Sequence, residues 1–313
     1  MCFAFILSTV GAFAAEAPHD HSTPPLRCWT PILPPRFALF CVHGLGLNSN
    51  SYADFAKRVN RFGGIVYAID VRGFGAWKDD DQHDKIDFDA TLADIKTALG
   101  QIHTAHPMLP VFMLGESMGG AIALRATAMY PNLIEGLVSC VPAAERFQTK
   151  KTDLKVALEL FRGRNHEFDI GKDIVKQAAT ADRLDADGKK VKVINEKLLT
   201  SWEDDPLNRM KLSAKELMQF QSFMNDNHDA AKKITKVPVL FVQGLDDRLV
   251  KPEGTFELAQ EVGTPYRMFV AFPTRHLVFE ETQTSDPRIN RASTQVVMAW
   301  INTHILATEP NTP

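Results

Sequence analysis

The chain has 313 residues, 45% apolar, 9% aromatic and 23% charged. That is enough for one large core or two modest ones, and it excludes a disordered tail or a stapled mini-protein. Lys and Arg number 35 against 38 Asp and Glu, a formal net charge of −3, which speaks against a nucleic-acid binder driven by phosphate neutralisation. The four cysteines, Cys2, Cys28, Cys41 and Cys140, show no C-x-x-C spacing, so neither a zinc cluster nor a disulfide scaffold is expected.

The chain opens with MCFAFILSTVGAFAA, an uncharged run shorter than the roughly 18 residues a membrane span needs. Ala12-Phe13-Ala14 has the small-x-small form of a signal-peptidase site, and the run before it has the length of an h-region. Residues 1–17 therefore read as a signal peptide or an apolar N-terminal segment. Its basic n-region is missing, since the first cation is Arg27. Export to the periplasm or beyond is the expectation, with a cytoplasmic location as the alternative.

Downstream, Leu26–Leu33 is a candidate edge strand, because Pro31 would break a central ladder. Six further runs are apolar almost throughout: Phe37–Val42, Gly64–Asp70, Pro110–Gly115, Leu133–Val141, Pro238–Gln243 and Tyr266–Phe272. Continuous apolar character marks strands covered on both faces by helices. Helical patterns fill the gaps at Tyr52–Arg61, Ala90–His103, Gly119–Tyr130, Gly254–Val262 and Ile289–Ile305. An α/β fold with a mostly parallel central sheet follows. Between Ala144 and Val237 the texture becomes charged and helix-prone, without a comparable apolar run, and this stretch reads as an insertion over the strand ends. The expected organisation is core at 18–143, cap or lid at 144–237, core again at 238–306 and a tail at 307–313. Asp185-Ala186-Asp187-Gly188 superficially resembles a calcium loop, but Lys189 and Lys190 follow and the twelfth position lacks Glu, so a plain turn is expected.

The strongest local signal is Gly115-Glu116-Ser117-Met118-Gly119, between a strand run and a helix of small residues. In a G-x-S-x-G turn the serine projects from the sheet, and the glycines leave room where a Cβ would clash. A serine hydroxyl is a weak nucleophile until a base takes its proton, so a histidine oriented by a carboxylate is required. The chain order for this arrangement is Ser, then Asp or Glu, then His. His276 follows the last strand run and is the expected base; His304 lies within the C-terminal helical pattern. Asp246 and Asp247 both follow the run Pro238–Gln243, and residue chemistry alone leaves the choice between them open. The oxyanion needs two backbone donors: Met118 N–H after the nucleophile, and Leu45 N–H in His43-Gly44-Leu45-Gly46. His43 precedes Ser117 and reads as structural. His103 and His106 lack a third ligand at useful spacing, Asp79-Asp80-Asp81 with His83 and Asp84 reads as a solvated loop, and Gly73 and Gly75 do not complete G-x-G-x-x-G.

These motifs resemble the α/β-hydrolase superfamily over about Leu26 to Ile305, most closely its monoacylglycerol lipase and lysophospholipase, serine aminopeptidase-like branch. Besides the elbow, the resemblance rests on Leu26-Arg-Cys-Trp-Thr-Pro, His43-Gly-Leu-Gly, Asp70-Val-Arg-Gly-Phe-Gly, Gly244-Leu-Asp-Asp-Arg-Leu-Val and Arg275-His276, in family order. It implies Asp247 as the acid of the triad. Asp205-Pro206-Leu207 resembles a segment of the branch's cap and implies a lid above an apolar acyl tunnel. Glu116 departs from the family, which often has His there. The implied activity is hydrolysis of carboxylic esters of a single acyl chain, monoacylglycerol or lysophospholipid, through an acyl-enzyme on Ser117. No metal, organic cofactor, nucleic-acid partner or stable membrane span is implied, although transient contact with a lipid surface is compatible, and the oligomeric state is left open. A short-chain carboxylesterase, thioesterase, aminopeptidase or acyltransferase would use the same triad, and an aminopeptidase could draw on Glu203, Asp204 and Asp205 to hold a free amine. A binding protein without turnover ranks below these because no triad member is lost.

Overall fold

The computed structural model describes residues 24–80, 82–144, 167–170, 176, 180–194, 196–279 and 287–308. The segment read as a signal peptide, the tail from 309 onward and residues 145–166, 171–175, 177–179 and 195 of the expected lid lie outside the described residues. A seven-stranded sheet has the order β1-β3-β2-β4-β5-β10-β11. Its strands are β1 (Leu26–Trp29), β2 (Phe37–Val42), β3 (Gly64–Ile69), β4 (Val111–Glu116), β5 (Gly136–Cys140), β10 (Val239–Gly244) and β11 (Arg267–Phe272). All pairings are parallel except that of β1 with β3. β1 is the expected edge strand but stops at Trp29, ahead of Pro31, Pro34 and Pro35, residues that lack the N–H a ladder requires.

β2 shows why the apolar runs are continuous. Ala38, Phe40 and Val42 enter one core layer, and Phe37, Leu39 and Cys41 enter the other. Side chains alternate across a strand, so a strand covered on both faces must be apolar at every position. Helix α2 (Phe88–Ala105) and helix α3 (Met118–Met129) cover the first face, supplying Leu92, Ile95, Leu99 and Ile122. Helix α1 (Ala53–Asn60) and the helix Pro287–Thr308 cover the second, with Phe55, Val59, Trp300 and Ile301. The strand order reverses beside β2, whose neighbours are β3 and β4. The crevice beyond the C-terminal ends of strands at such a switch point is where open α/β sheets hold ligands.

The stretch read as a charged, helix-prone insertion differs in two ways. It carries two short antiparallel pairs, β6 (Glu167–Asp169) with β9 (Lys211–Ser213) and β7 (Thr180–Leu184) with β8 (Lys190–Ile194). Lys190-Val-Lys-Val-Ile alternates polar with apolar, the pattern of a half-solvated hairpin, which a search for continuous apolar runs passes over. The turn between β7 and β8 is held by the Asp185 carboxylate, which accepts from Asp187 N–H at 3.0 Å and Lys189 N–H at 2.8 Å. Secondly, the helix Ala214–Asn225 and the helix Asn227–Lys233 pack into the main core through Phe220, Phe223, Met224 and Ala231. Phe223 stacks on Phe88 of α2 with ring centroids 4.3 Å apart, so this part of 144–237 is core and not cap.

Candidate active site

β4 runs straight into Ser117, which takes φ 59° and ψ −117° before α3 begins. Positive φ at a residue with a Cβ costs on the order of 1–3 kcal/mol and persists only where the surroundings impose it. Here Ser117 N–H donates to the Cys140 carbonyl at 3.0 Å, and the Ser117 carbonyl accepts from Ala121 N–H at 3.1 Å and Ala143 N–H at 3.0 Å. A Cβ on Gly119 would lie 1.9 Å from the Val42 carbonyl oxygen, so only glycine lets α3 seat against the end of β2. Met118 is the first residue of α3, and its N–H has no acceptor within the helix.

The loop after β2 carries Leu45 in a turn closed by Leu47 N–H to the Gly44 carbonyl at 3.2 Å. His43 braces it: Nε2 accepts from Val71 N–H at 3.0 Å, and Nδ1 lies 2.8 Å from the Gly44 carbonyl. With Nε2 accepting, the proton sits on Nδ1 and the ring is neutral. Burial pushes the His43 pKa down, against opposing pulls from Asp70 and Gly44. The structural reading of His43 therefore agrees with its contacts.

A strap from the insertion clamps the same loop. Arg209 N–H donates to the Gly46 carbonyl at 2.9 Å. The buried Asn48 amide donates to Asp205 Oδ2 at 3.0 Å and Asn208 Oδ1 at 2.8 Å. Arg209 also reaches the Gly73 and Asp84 carbonyls at 3.2 and 3.0 Å, and it pairs with Glu216 at 2.8 Å. Sequence reasoning missed Asn48, Arg209 and Glu216. For Glu216 a signal was legible, because Ser213-x-x-Glu216 has the capping-box spacing, and both reciprocal bonds of that box form.

The histidine half follows β10 and β11. A Cβ on Gly244 would lie 2.0 Å from the Arg275 carbonyl oxygen, so the bare backbone of that glycine lets the His276 loop cross the end of β10. Asp247 is buried whereas Asp246 is exposed. Asp247 Oδ1 accepts from Leu249 N–H at 2.8 Å and Val250 N–H at 3.1 Å, and Oδ2 lies 2.8 Å from His276 Nδ1. Nδ1–H thus donates to the carboxylate and leaves Nε2 with its lone pair. Burial presses the His276 pKa down, but Asp247, and after it Glu116, outweigh that and hold it above the ordinary value. The elbow and the histidine loop adjoin: Glu116, next to Ser117, accepts from Val278 N–H at 3.2 Å.

The remaining candidates fall elsewhere. His103 Nε2 meets the Leu133 carbonyl at 3.1 Å and His106 Nε2 meets Tyr67 Oη at 2.7 Å, two separate structural contacts. His304 Nδ1 meets the Trp300 carbonyl of its own helix at 2.8 Å. Asp80 departs from the solvated-loop reading, since its carboxylate accepts from Gln82 N–H and from His83 N–H and Nδ1 at 2.9 to 3.2 Å. Asp205 is engaged by Asn48 and by Leu207 N–H at 2.9 Å, and Glu203 and Asp204 are exposed.

The sequence profile of the family described as serine aminopeptidase, S33, matches residues 34–283. The chain belongs to this family of α/β-hydrolases. The monoacylglycerol lipase of Mycolicibacterium smegmatis is 26% identical to it over 279 residues, covering 88% of this chain and 92% of the relative. The monoglyceride lipase of Mus musculus is 24% identical over 290 residues, covering 92% and 89%. Among solved structures, the monoacylglycerol lipase of Paleococcus ferrophilus superposes with a TM-score of 0.70 at 24% identity, covering 90% of this chain and 99% of that one. A soluble variant of the Saccharomyces cerevisiae monoglyceride lipase gives 0.71 at 17% identity, covering 93% and 99%. The solved structures bear out the α/β-hydrolase fold, and family and relatives together make the chain a monoglyceride lipase-like ester hydrolase.

Proposed function

We propose that the chain hydrolyses esters of a single acyl chain, of the monoacylglycerol or lysophospholipid type, through an acyl-enzyme on Ser117. His276 Nε2 takes the Ser117 proton as Oγ attacks the ester carbonyl, then returns it to the leaving alcohol. Asp247 fixes the imidazole tautomer and stabilises its cation. Leu45 and Met118 N–H hold the oxyanion. Water, activated by the same imidazole, then releases the acid. The observation that carries this reading is the strained elbow at Ser117 beside a buried Asp247–His276 pair at 2.8 Å. The substrate class is supported by the monoacylglycerol and monoglyceride lipases among the relatives. Engagement of Asp205 by Asn48 weighs against an amine-holding acidic cluster and hence against the aminopeptidase reading. Transient contact with a lipid surface belongs to the same proposal, supported by the lipid-ester substrates named for the relatives; among the described residues no helix is long and apolar enough to cross a membrane. Residues 1–17 belong to the same proposal as an export signal, tested by N-terminal sequencing of the mature protein.

The test is steady-state hydrolysis of 4-nitrophenyl esters from acetate to palmitate, with monoacylglycerol, lysophosphatidylcholine and an aminoacyl anilide, and with S117A as blank. Preference for medium or long chains with a glycerol or phospholipid head group is expected. Activity confined to acetate and butyrate overturns the substrate class, and turnover retained by S117A overturns the mechanism.

A further inference from the structure

We infer that Glu116 is a positioning residue for the general base, its carboxylate tying the loop that bears His276 to the nucleophile elbow so that serine and imidazole stay in register. This rests on the triad reading above. Glu116 ends β4, pairs with Cys140 across the sheet and immediately precedes Ser117. Its Oε1 accepts from Val278 N–H at 3.2 Å and faces Cys140 Sγ at 3.8 Å. The Val278 carbonyl accepts from Asn290 Nδ2 at 3.0 Å and Ser293 Oγ at 3.2 Å, and the Phe279 carbonyl accepts from Arg58 Nη2 at 2.6 Å. Of these loop contacts, those from the helix Pro287–Thr308 and from α1 anchor the loop to the outside of the sheet. The Glu116 contact ends on the serine's own neighbour, which gives the two halves of the site a direct mechanical link.

The titratable and charged groups that face this link are Cys41 on β2, Tyr52 ahead of α1, Cys140 on β5 and His276, with Asp247 after β10 beside Cys140 and His276, Arg58 of α1 on the Phe279 carbonyl and Arg275 next in the chain to His276. Burial, reinforced by the Glu116 charge, pushes the Cys41, Cys140 and Tyr52 pKa values up, so these three stay neutral near neutrality. Glu116 and Asp247 are the two carboxylates that raise His276 against its burial. Charge and hydrogen bond are therefore separable by substitution: E116Q keeps an acceptor for Val278 N–H and loses the charge, whereas E116A loses both.

The experiment is the pH profile of kcat/KM on 4-nitrophenyl butyrate for the wild type, E116Q and E116A, with S117A and H276A as controls. The neutral imidazole is the active form, so removing the Glu116 charge lowers the His276 pKa and moves the acid limb to lower pH in both Glu116 variants. E116A should in addition lose kcat, on the order of tenfold, with KM little changed, because a displaced base costs rate and not binding. E116Q should lose less. An E116A kcat equal to that of the wild type overturns the inference; if E116A fails to fold, E116D, which keeps the charge but withdraws the acceptor from Val278 N–H, decides the matter, a kcat loss supporting the tie and a wild-type kcat overturning it. Equal kcat losses in E116Q and E116A with no limb shift also overturn it. Failure of the triad reading is distinguishable, because S117A or H276A would then retain wild-type turnover.

Discussion

The two halves of the candidate site are held by different kinds of force. The serine half is set by backbone packing: a positive φ at Ser117, a helix seated on β2 where Gly119 has no Cβ, and carbonyl-to-amide bonds from Cys140, Ala121 and Ala143. The histidine half shares that close packing at one point, where bare Gly244 meets the Arg275 carbonyl, but it is set beyond that by side chains reaching a loop: Asp247 on the imidazole, and Glu116, Asn290, Ser293 and Arg58 on residues two and three beyond it. Backbone packing makes the nucleophile rigid and intolerant of added volume. Side-chain anchoring makes the base tunable, since each contact can be removed without overfilling the core.

The comparison can be broken most sharply at its two centres. S117A and H276A should each lower kcat by on the order of 10⁴–10⁶, and the double variant should add little, because the triad acts as a unit; single-turnover kinetics on 4-nitrophenyl butyrate measure this. Next, D247N should lower kcat by roughly 10³–10⁴, as the amide presents the wrong partner to Nδ1, while the exposed Asp246 tolerates Asn with near-wild-type kcat. The opposite ranking would assign the acid to Asp246.

Smaller effects separate packing from anchoring. G119A, whose Cβ would meet the Val42 carbonyl at 1.9 Å, should destabilise the fold by roughly 1–3 kcal/mol or more, read as a lower urea midpoint together with lost activity. N48A removes both strap contacts of the buried amide and should reduce kcat several-fold, roughly 1 kcal/mol of transition-state stabilisation. A change confined to KM would detach the strap from the oxyanion loop. The smallest effect is at Glu216. Burial alone would raise its carboxyl, but the Ser213 amide and hydroxyl and the Arg209 guanidinium hold it below its ordinary value. Its stabilisation is therefore present above the unfolded carboxylate range and lost as pH falls through the depressed folded value. E216Q should lower stability on the neutral side and converge with the wild type toward pH 3, flattening the acid side of the stability-against-pH curve, as read by thermal unfolding from pH 7 to pH 3.

Much of the architecture was legible because the sheet is covered on both faces. The continuous apolar runs at Phe37–Val42 and Pro238–Gln243 required strands of that kind, and β2 and β10 are buried at every position. Boundaries were less legible: the run from Leu133 begins as a 3₁₀ turn at Pro131–Leu133, and β5 starts only at Gly136. The insertion was misread where period-two alternation at Lys190–Ile194 sits among charged residues. The residues Ala214–Asn225 fell within the expected cap, and only the contact of Phe220 and Phe223 with Phe88 places that helix in the core. Asp80 read as one carboxylate in an acidic run, yet it is the local acceptor for the turn at His83.

What the sequence by itself determined were the features encoded by neighbours in the chain: the period of the core strands and the helices beside them, the elbow Gly115–Gly119, the turn at Asp187-Gly188 and the capping-box spacing at Ser213–Glu216. Each depends on backbone propensity and on residues a few positions apart, so a linear reading contains all its parts. What only the tertiary structure decided were contacts between distant segments, Asn48 against Asp205 and Asn208 and Glu116 against Val278, and, where residue chemistry left two aspartates open and the family resemblance implied Asp247, the burial of Asp247 against His276. Those contacts depend on which side chains are brought together when β4, β10 and β11 share one sheet. Several residues of the right chemistry are available at each place along the chain, and burial and distance select among them.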